Sequence, residues 1–152
     1  MSAISKENML QEIRERAERE KNVIIVGISE THTEKIEDRI THDTIEVTEL
    51  LSKILKNAPH PLKVIRLGKY KQGSNRSLKV LFNSTAESRK ILQNKGNIKD
   101  KNIKVFADRT PSQLLYFKEL KEELSSRQKL GENNLTIKYI KGTPKIVKSS
   151  KN

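Results

Sequence analysis

The chain of 152 residues carries a formal net charge of +12, and charged residues make up 33% of it. Cysteine is absent, which excludes disulfides, thiolate metal sites and a cysteine nucleophile. No apolar run approaches the ~18 residues that a membrane span needs, and the polar first ten residues are unlike a secretory signal. We therefore expect an intracellular protein that does not enter the membrane.

The positive charge is concentrated in two parts of the chain. Residues 61–107 carry 12 basic and 2 acidic side chains, and residues 133–152 add five lysines without an acid. Residues 1–60, by contrast, have 9 basic and 12 acidic side chains. Segregated lysine and arginine are typical of polyanion binding, because each cation near a phosphate releases condensed counterions. The charge pattern favours a nucleic-acid partner over a merely solvated surface.

The first predicted element is a helix over residues 5–21, which is rich in Glu and Arg and free of Gly and Pro. Its apolar positions Leu10, Ile13 and Ala17 are spaced by three and four residues, and Ala3 precedes Leu10 by seven. This seam spans barely two heptads, whereas coiled coils are recognised over three or more. The helix is therefore either the stub of a longer coiled coil or a helix that packs on the neighbouring domain.

A βαββαβ pattern is predicted over residues 22–107, with each element bounded by turn or capping residues. The strands cover 22–28, 62–67, 77–82 and 102–107, and a polar loop covers 29–42. The helices run from Asp43 as N-cap to about residue 57, and from Ser84 as N-cap to about residue 95. This order predicts an α+β, ferredoxin-like sandwich, in which two helices cover one face of a four-stranded antiparallel sheet and the other face is open. It resembles the RRM fold.

A second unit is predicted after residue 108. Thr110-Pro111 is a strong helix start, and the helix extends to about Lys129. Residues 135–140 and 145–147 form a short hairpin, which must pack on this helix or on the first domain, because a lone hairpin is unstable in water. The predicted domains are therefore an N-terminal helix (1–21), an RRM-like domain (22–108), a helix-hairpin domain (109–148) and a tail (149–152).

No catalytic or metal-binding set stands out in the sequence. The three histidines, His32, His42 and His60, lack the spacing of metal ligands, and there is no glycine-rich phosphate loop or nucleophile elbow. His42 beside Asp43 could pair a base with its orienting carboxylate, but neighbouring residues of these types are common. We therefore expect a protein that is not an enzyme and that uses no cofactor, metal or small-molecule substrate.

The candidate binding residues are basic side chains on the second and third strands and on the turn between them. They are Lys63, Arg66, Lys69, Lys71, Arg76 and Lys79. Tyr70, at the tip of the turn, offers one stacking surface for a base. Further lysines extend the positive field toward the fourth strand: Lys95, Lys99, Lys101 and Lys104. Each alone is more often a solvated surface charge, but the group favours phosphate contact.

RNA-binding RRMs usually stack bases on aromatic side chains of the first and third strands. Here the outward positions of the third strand hold Ser77 and Lys79, and Phe82 faces inward. The matching position of the first strand holds Ile24. The usual stacking platform is therefore missing, and binding through this face should depend mainly on phosphates, with weak base preference and a steep salt dependence.

The chain resembles the first-open-reading-frame proteins of LINE-type, non-LTR retrotransposons, which have a coiled coil, an RRM and a small C-terminal domain in this order. The resemblance covers residues 21–148 and rests on short segments: KNVIIVGISE (21–30), Arg66 at the end of the second strand, RSLKVLF (76–82) and IKVFADRT (103–110). It implies single-stranded nucleic-acid binding, chiefly of the element's own RNA, with chaperone activity during target-primed reverse transcription. It also implies a cytoplasmic ribonucleoprotein with access to the nucleus.

The same resemblance implies a strand-binding cleft between the two units and self-association through the N-terminal coiled coil. Arg66 and Arg76 match basic positions of the family's cleft. The family often has an arginine after a glycine, where this chain has Asn97 after Gly96, so that role is given to Lys95. The chain departs from the family in having only a stub of coiled coil and none of the cysteine-based zinc knuckles that some members carry.

Two functions compete on these grounds. The first is binding of single-stranded RNA or DNA, with basic residues on the phosphates and the C-terminal lysines closing over the strand. Its predicted contacts are Arg66, Lys69, Tyr70, Lys71, Arg76, Lys79, Lys95, Lys104, Arg109, Lys138 and Lys141, with Lys145 and Lys148 beside the last two. The second is a protein-interaction module that uses Ile24, Val26 and Leu81 on the open face. On the first, Arg76→Ala with Lys79→Ala should weaken RNA binding with little loss of stability, because both residues are expected at the surface.

Overall fold

The computed structural model describes residues 1–149, so the predicted tail lies outside the described residues from 150 onward. The helices are α1 (Ala3–Arg19), α2 (Ile36–Ile54), α3 (Thr85–Gln93) and α4 (Pro111–Lys129). The strands are β1 (Asn22–Val26), β2 (Lys63–Arg66), β3 (Leu78–Leu81), β4 (Lys104–Ala107), β5 (Leu135–Ile140) and β6 (Thr143–Lys148). The chain divides into two compact units, one ending at Asp108 and the other starting at Arg109.

The first unit has the predicted βαββαβ order around a four-stranded antiparallel sheet. The strand order is β2-β3-β1-β4, so β1 is hydrogen-bonded between β3 and β4. Helix α2 packs on β2, and α3 packs on β1 and β4. This is the ferredoxin-like arrangement of RRM domains. It confirms the predicted fold class, including the helix before the sandwich and the helix plus hairpin after it.

The core lies between one face of the sheet and helices α2 and α3. Alternation along the strands turns every second side chain to this face. The strand residues buried there are Val23, Ile25, Leu78, Val80 and Val105, and the helices add Val47, Leu50, Leu51, Ile54 and Ile91. Phe82, just after β3, is also buried, as predicted. The alternate residues of the strands belong to the opposite face, which carries the candidate site.

Helix α2 begins at Ile36, seven residues before the predicted N-cap, so the prediction of a loop over 29–42 is wrong for its second half. Asp43 is a buried residue inside the helix, on the same face as Val47 and Ile54. Its carboxylate pairs with Arg66. Because a polar residue occupies an inward position, the apolar period is interrupted there, and the pattern suggested a helix start instead.

Gly27, directly after β1, occupies a position that requires glycine. Its φ is +104°, in the left-handed region that favours glycine. A Cβ here would overlap the backbone carbonyl oxygen of Asn102. The chain leaving β1 therefore passes directly against the turn before β4, next to the point where Val26 pairs with Lys104.

The apolar seam of helix α1 is exposed to solvent. All of its residues are exposed or half-buried, and Leu10 and Ile13 are among the exposed ones. The last turn is tied to the sheet, since Arg19 donates to Asp108 Oδ1 at 3.3 Å. Helix α1 therefore contacts the domain through its last turn, while its apolar seam does not pack there.

The second unit begins with a capped helix. The Thr110 hydroxyl accepts from the backbone N–H of Gln113 at 3.2 Å, and the Gln113 side chain accepts from the backbone N–H of Thr110 at 2.9 Å. This capping box, with Pro111 in the first turn, confirms the helix start that the Thr-Pro pair predicted.

The hairpin of the second unit packs on α4. Its two-residue turn, Lys141-Gly142, has positive φ at both positions, as type I′ turns require. The ring of Tyr139 stacks on that of Phe117, with 6.4 Å between centroids, and the Tyr116 hydroxyl donates to the carbonyl oxygen of Pro144 at 2.9 Å. Helix and hairpin therefore stabilise each other.

Candidate nucleic-acid interface

The open face of the sheet combines apolar side chains with lysines. One row of paired residues crosses all four strands and consists of Ile65, Lys79, Ile24 and Phe106. The neighbouring rows place Lys63 beside Leu81, and Lys104 beside Val26. Apolar side chains can contact bases and lysines can contact phosphates. The face therefore has both kinds of group that a single strand requires.

Arg66 lies on the other face of the sheet. It pairs across the strands with the core residue Leu78, and its side chain is only 5% exposed. The guanidinium donates to both carboxylate oxygens of Asp43, at 3.1 and 2.8 Å, and to the carbonyl oxygens of Ile28, Ser29 and Arg76. All five of its N–H groups are thus engaged inside the protein. Arg66 holds β2, α2 and the loop after β1 together, and we remove it from the set of phosphate contacts.

Arg76 forms a second ion pair, with Glu30. Its Nη2 lies 2.6 Å from Glu30 Oε2, and its Nε is 3.1 Å from the same oxygen. The Glu30 side chain is 1% exposed and that of Arg76 is 17% exposed. The expectation that Arg76 is a surface residue is therefore wrong. The pair anchors the turn between β2 and β3 to the loop after β1.

The Arg76–Glu30 pair shifts the titration of both groups. Hydrogen bonds from the side chain of Arg76, and a further one from the backbone N–H of Arg76, hold the pKa of Glu30 below its ordinary value of 4.5. Burial of the carboxylate acts in the opposite direction and tends to raise this pKa. The hydrogen bonds to Glu30 in turn raise the pKa of the Arg76 guanidinium. Both groups are therefore held in their charged forms at neutral pH.

Tyr70, predicted at the tip of the turn, is in contact with three other side chains. The Cζ atoms of Arg39 and Arg76 lie 4.4 and 5.4 Å from its ring centroid, and its hydroxyl is 2.8 Å from His32 Nδ1. Such cation–π contacts stabilise the position of the ring. Tyr70 therefore helps to order the turn, and 37% of its surface remains exposed to solvent.

The lysines on either side of Tyr70 differ from the arginines. Lys69 and Lys71 are both exposed, and within residues 1–149 neither forms a salt bridge. The structure thus divides the predicted basic set of the turn in two. The arginines hold the turn in place, and the lysines present charge to solvent.

Lys79 lies in the middle of the open face. Its Nζ is 4.0 Å from Asp108 Oδ2, and the same carboxylate accepts from Asn22 at 3.0 Å and from Arg19 at 3.3 Å. The negative charge of Asp108 is therefore shared by several donors. Lys79 keeps 32% of its side chain exposed and remains available to a phosphate that approaches the face.

The last predicted contacts of the first unit lie near β4. Lys95 and Lys104 are exposed. Lys95 Nζ donates to the carbonyl oxygen of Val105 at 3.3 Å and lies 6.0 Å from the centroid of the Phe106 ring. Lys104 itself is a residue of β4 on the open face. These lysines therefore continue the cationic surface along the β4 edge of the sheet.

In the second unit, Lys138 and Lys145 stand directly opposite each other on the hairpin. Both are exposed, and like charges at directly opposed positions repel. An anion bound at this face of the hairpin would relieve that repulsion. Lys141 lies in the adjacent turn, and Arg109 places its Cζ 4.9 Å from the centroid of the Tyr139 ring.

Phe106 is the residue that the sequence prediction missed. It lies on the open face beside Ile24, and it is 47% exposed. Alternation along β4 carries the signal, because an inward Val105 requires an outward Phe106. Phe106 lies on the fourth strand, outside the stacking positions of the first and third strands, so the sequence prediction did not include it.

Other kinds of site chemistry find little support in the structure. Among the described residues, no group of three or more His, Cys, Asp or Glu side chains is placed to hold a metal ion. His42 Nδ1 lies 3.2 Å from Asp43 Oδ1, but that carboxylate is already bonded to Arg66. No helix within residues 1–149 is long and apolar enough to cross a membrane.

The chain is similar to a solved structure of RNA recognition domains 1 and 2 of Sex-lethal from Drosophila melanogaster. The identity is 20%, 86% of this chain and 86% of that chain are covered, and the TM-score is 0.42. At that TM-score the likeness carries no argument, and the fold assignment rests on strand order and pairing. No protein-family model matches the chain, and no curated protein matches it.

Proposed function

We propose that the chain binds single-stranded nucleic acid, mainly through its phosphates and with weak base preference. The observation that carries the proposal is a set of exposed lysines on the first unit, none of which forms a salt bridge within residues 1–149. They are Lys63, Lys69, Lys71, Lys95, Lys99, Lys101 and Lys104. Each such cation releases counterions when it meets a phosphate, and this release drives binding.

The open face of the sheet favours a single strand over a duplex. Ile24, Val26 and Phe106 form an apolar strip among the lysines. Bases that are splayed out of a helix can contact such a strip, whereas the bases of a duplex are paired and stacked on one another. The strip carries few hydrogen-bonding groups, so contact with it discriminates poorly between bases.

The second unit adds its own cationic surface. Lys138 and Lys145 share one face of the hairpin, and Lys141 lies at its turn. A phosphate bound beside the first two lysines would replace a repulsive contact with two attractive ones. We therefore propose that both units contact the nucleic acid.

RNA is the ligand that we propose above DNA, within a retrotransposon ribonucleoprotein and with chaperone activity. The resemblance of residues 21–148 to LINE-type first-open-reading-frame proteins supports this proposal, as does the order of helix, sandwich and helix-hairpin unit. The exposed seam of α1, with Leu10 and Ile13, supports self-association through that helix. A cytoplasmic particle with access to the nucleus belongs to the same proposal.

The competing function is a protein-interaction module that uses the open face. Val26 and Phe106 are exposed there, and an exposed apolar patch is a feature of protein-binding surfaces. However, lysines flank the patch, and charged residues are depleted at the centres of protein interfaces. The charge therefore favours the nucleic acid.

A pair of lysine variants tests the proposal. The variant with Lys69→Ala and Lys71→Ala should lose about 25-fold in affinity at ~0.1 M salt if both lysines contact phosphates. The control carries Lys118→Ala and Lys129→Ala, which removes the same charge from two exposed positions of α4. Affinity is measured by fluorescence anisotropy with a labelled single strand of about 20 nucleotides.

The outcomes of this experiment are distinct. A loss confined to the first variant supports the proposed site. Equal losses in both variants would mean that only net charge matters, and no loss in either would remove the turn from the interface. If the unmodified protein fails to bind at low salt, the nucleic-acid function is wrong and the protein-interaction module becomes the better account.

A further inference from the structure

The β4 edge of the first unit contains a shallow pocket of about 440 Å³ that is open to solvent. Its lining includes the apolar side chains of Ile98, Ile103 and Phe106 and the lysines Lys95, Lys101 and Lys104. Asp100 also lines the pocket, and its carboxylate accepts from the backbone N–H of Asn102 at 2.9 Å. The lining therefore combines an aromatic ring and apolar side chains with a net positive charge.

A lysine lies beside the Phe106 ring. Lys95 Nζ donates to the Val105 carbonyl oxygen at 3.3 Å and lies 6.0 Å from the ring centroid. Within the same row of the sheet, Lys79 is two strands away, a separation of about 10 Å. A base on the ring would thus have cations on two sides for the phosphates that flank it.

We propose that this pocket takes one nucleotide of the bound strand, with the base stacked on Phe106 and its phosphates on the surrounding lysines. The inference rests on the proposed single-strand binding and deepens it. The positions on which RRMs usually stack bases hold Ile24 and Lys79 here, so the aromatic platform is displaced to β4. An aromatic face accepts any base, which accords with weak base preference.

A tryptophan at position 106 provides a direct test, because the chain contains no tryptophan. In Phe106→Trp, stacking of a base should quench the indole emission in step with binding of a single strand. The control is Ile45→Trp, at a position of similar exposure on α2, which lies on the opposite side of the sheet. The control should bind the strand equally well and show little quenching.

A second variant separates stacking from phosphate contact. Phe106→Leu keeps an apolar side chain at a half-exposed position, so the fold should tolerate it. Its affinity for a single strand should fall about fivefold or more, as expected for the loss of one stacked base. Its affinity for an abasic strand of equal length should match that of the unmodified protein.

These results distinguish the inference from the function on which it rests. Quenching confined to Phe106→Trp, with a loss in Phe106→Leu that disappears on the abasic strand, supports the nucleotide pocket. If the unmodified protein binds the strand but Phe106→Trp is not quenched and Phe106→Leu binds equally well, the pocket is wrong and the phosphate-dominated function stands. Absence of binding by the unmodified protein at low salt would overturn both.

Discussion

Replacing Arg76 with alanine should destabilise the first unit substantially. The Glu30 carboxylate, 1% exposed, would keep its hydrogen bond from the backbone N–H of residue 76 but lose the guanidinium. Removal of one partner of a buried ion pair costs about 3–5 kcal/mol. Arg76 is 17% exposed, so water can replace part of what is lost. We therefore expect a cost of about 3 kcal/mol at neutral pH, a large part of the ~5–15 kcal/mol that stabilises a domain.

The cost of Arg76→Ala should also decrease as the pH falls. In the unmodified protein the pKa of Glu30 is lowered from 4.5 by hydrogen bonding to Arg76. Its contribution to stability is therefore fully present above pH 4.5 and is lost as the pH falls toward the folded-state pKa. Without the guanidinium, burial raises the pKa of Glu30 while the retained backbone hydrogen bond and Arg66 lower it, so the variant has less stability to lose when Glu30 is protonated. The stabilities of the two proteins therefore come closer together in acid.

Urea unfolding followed by circular dichroism measures both effects. Arg76→Ala, Glu30→Gln and the double variant form a cycle whose coupling energy isolates the pair, at ~pH 7 and again at ~pH 4. Arg16→Ala is the control, since Arg16 belongs to an exposed pair with Glu12 at 3.6 Å and should leave the midpoint nearly unchanged. A cost of Arg76→Ala below about 0.5 kcal/mol, typical of surface substitutions, or an equal cost at both pH values, would refute the assignment of Arg76 to a buried pair.

Three further substitutions follow from the same structure. Gly27→Ala should lower the free energy of unfolding in urea by more than about 3 kcal/mol, because the Cβ would overlap a carbonyl oxygen in addition to the strain at positive φ. Gly68 also has positive φ but has open space around it, so Gly68→Ala should lower it by only about 1 kcal/mol. Similar costs would contradict the close approach at Gly27. Arg66→Lys should destabilise the first unit by about 3 kcal/mol, since an ammonium cannot make the five hydrogen bonds of the guanidinium. The affinity of the folded variant for a single strand should stay unchanged. A loss of affinity at unchanged stability would instead place Arg66 in the interface. Lys138→Glu should stabilise the hairpin by ~0.5 kcal/mol in thermal unfolding, because an attractive pair with Lys145 replaces a repulsive one. The same variant should bind a single strand more weakly. Tighter binding of the strand would be inconsistent with the second unit as a contact surface.

The parts of the fold that could be predicted from sequence are those set by local signals. Ser84 accepts from the backbone N–H of Glu87 at 3.3 Å and starts α3, and Thr110-Pro111 starts α4, as capping chemistry requires. The alternation of Leu78, Lys79 and Val80 predicted both the strand and the face of the sheet on which each side chain lies. These features depend on residues close in sequence, so a single chain contains enough information to find them.

The parts that could not be predicted depend on pairs far apart in sequence. Asp43 and Arg66 are 23 residues apart, and Glu30 and Arg76 are 46 apart. An arginine on a strand has the same appearance in sequence whether it faces solvent or a buried carboxylate. The composition of residues 61–107 indicated a concentration of positive charge. Only the fold shows which of its arginines are structural and which of its lysines are accessible.

The salt dependence of single-strand affinity tests the central claim most directly. If five or more lysines of the two units contact phosphates, the logarithm of the association constant should fall with the logarithm of salt concentration at a slope of about −3.5 or steeper. Affinity for a strand of about 20 nucleotides would then fall ~100-fold between ~50 and ~200 mM salt. A slope near zero, or no binding at the lowest salt, would contradict phosphate-dominated recognition by this chain.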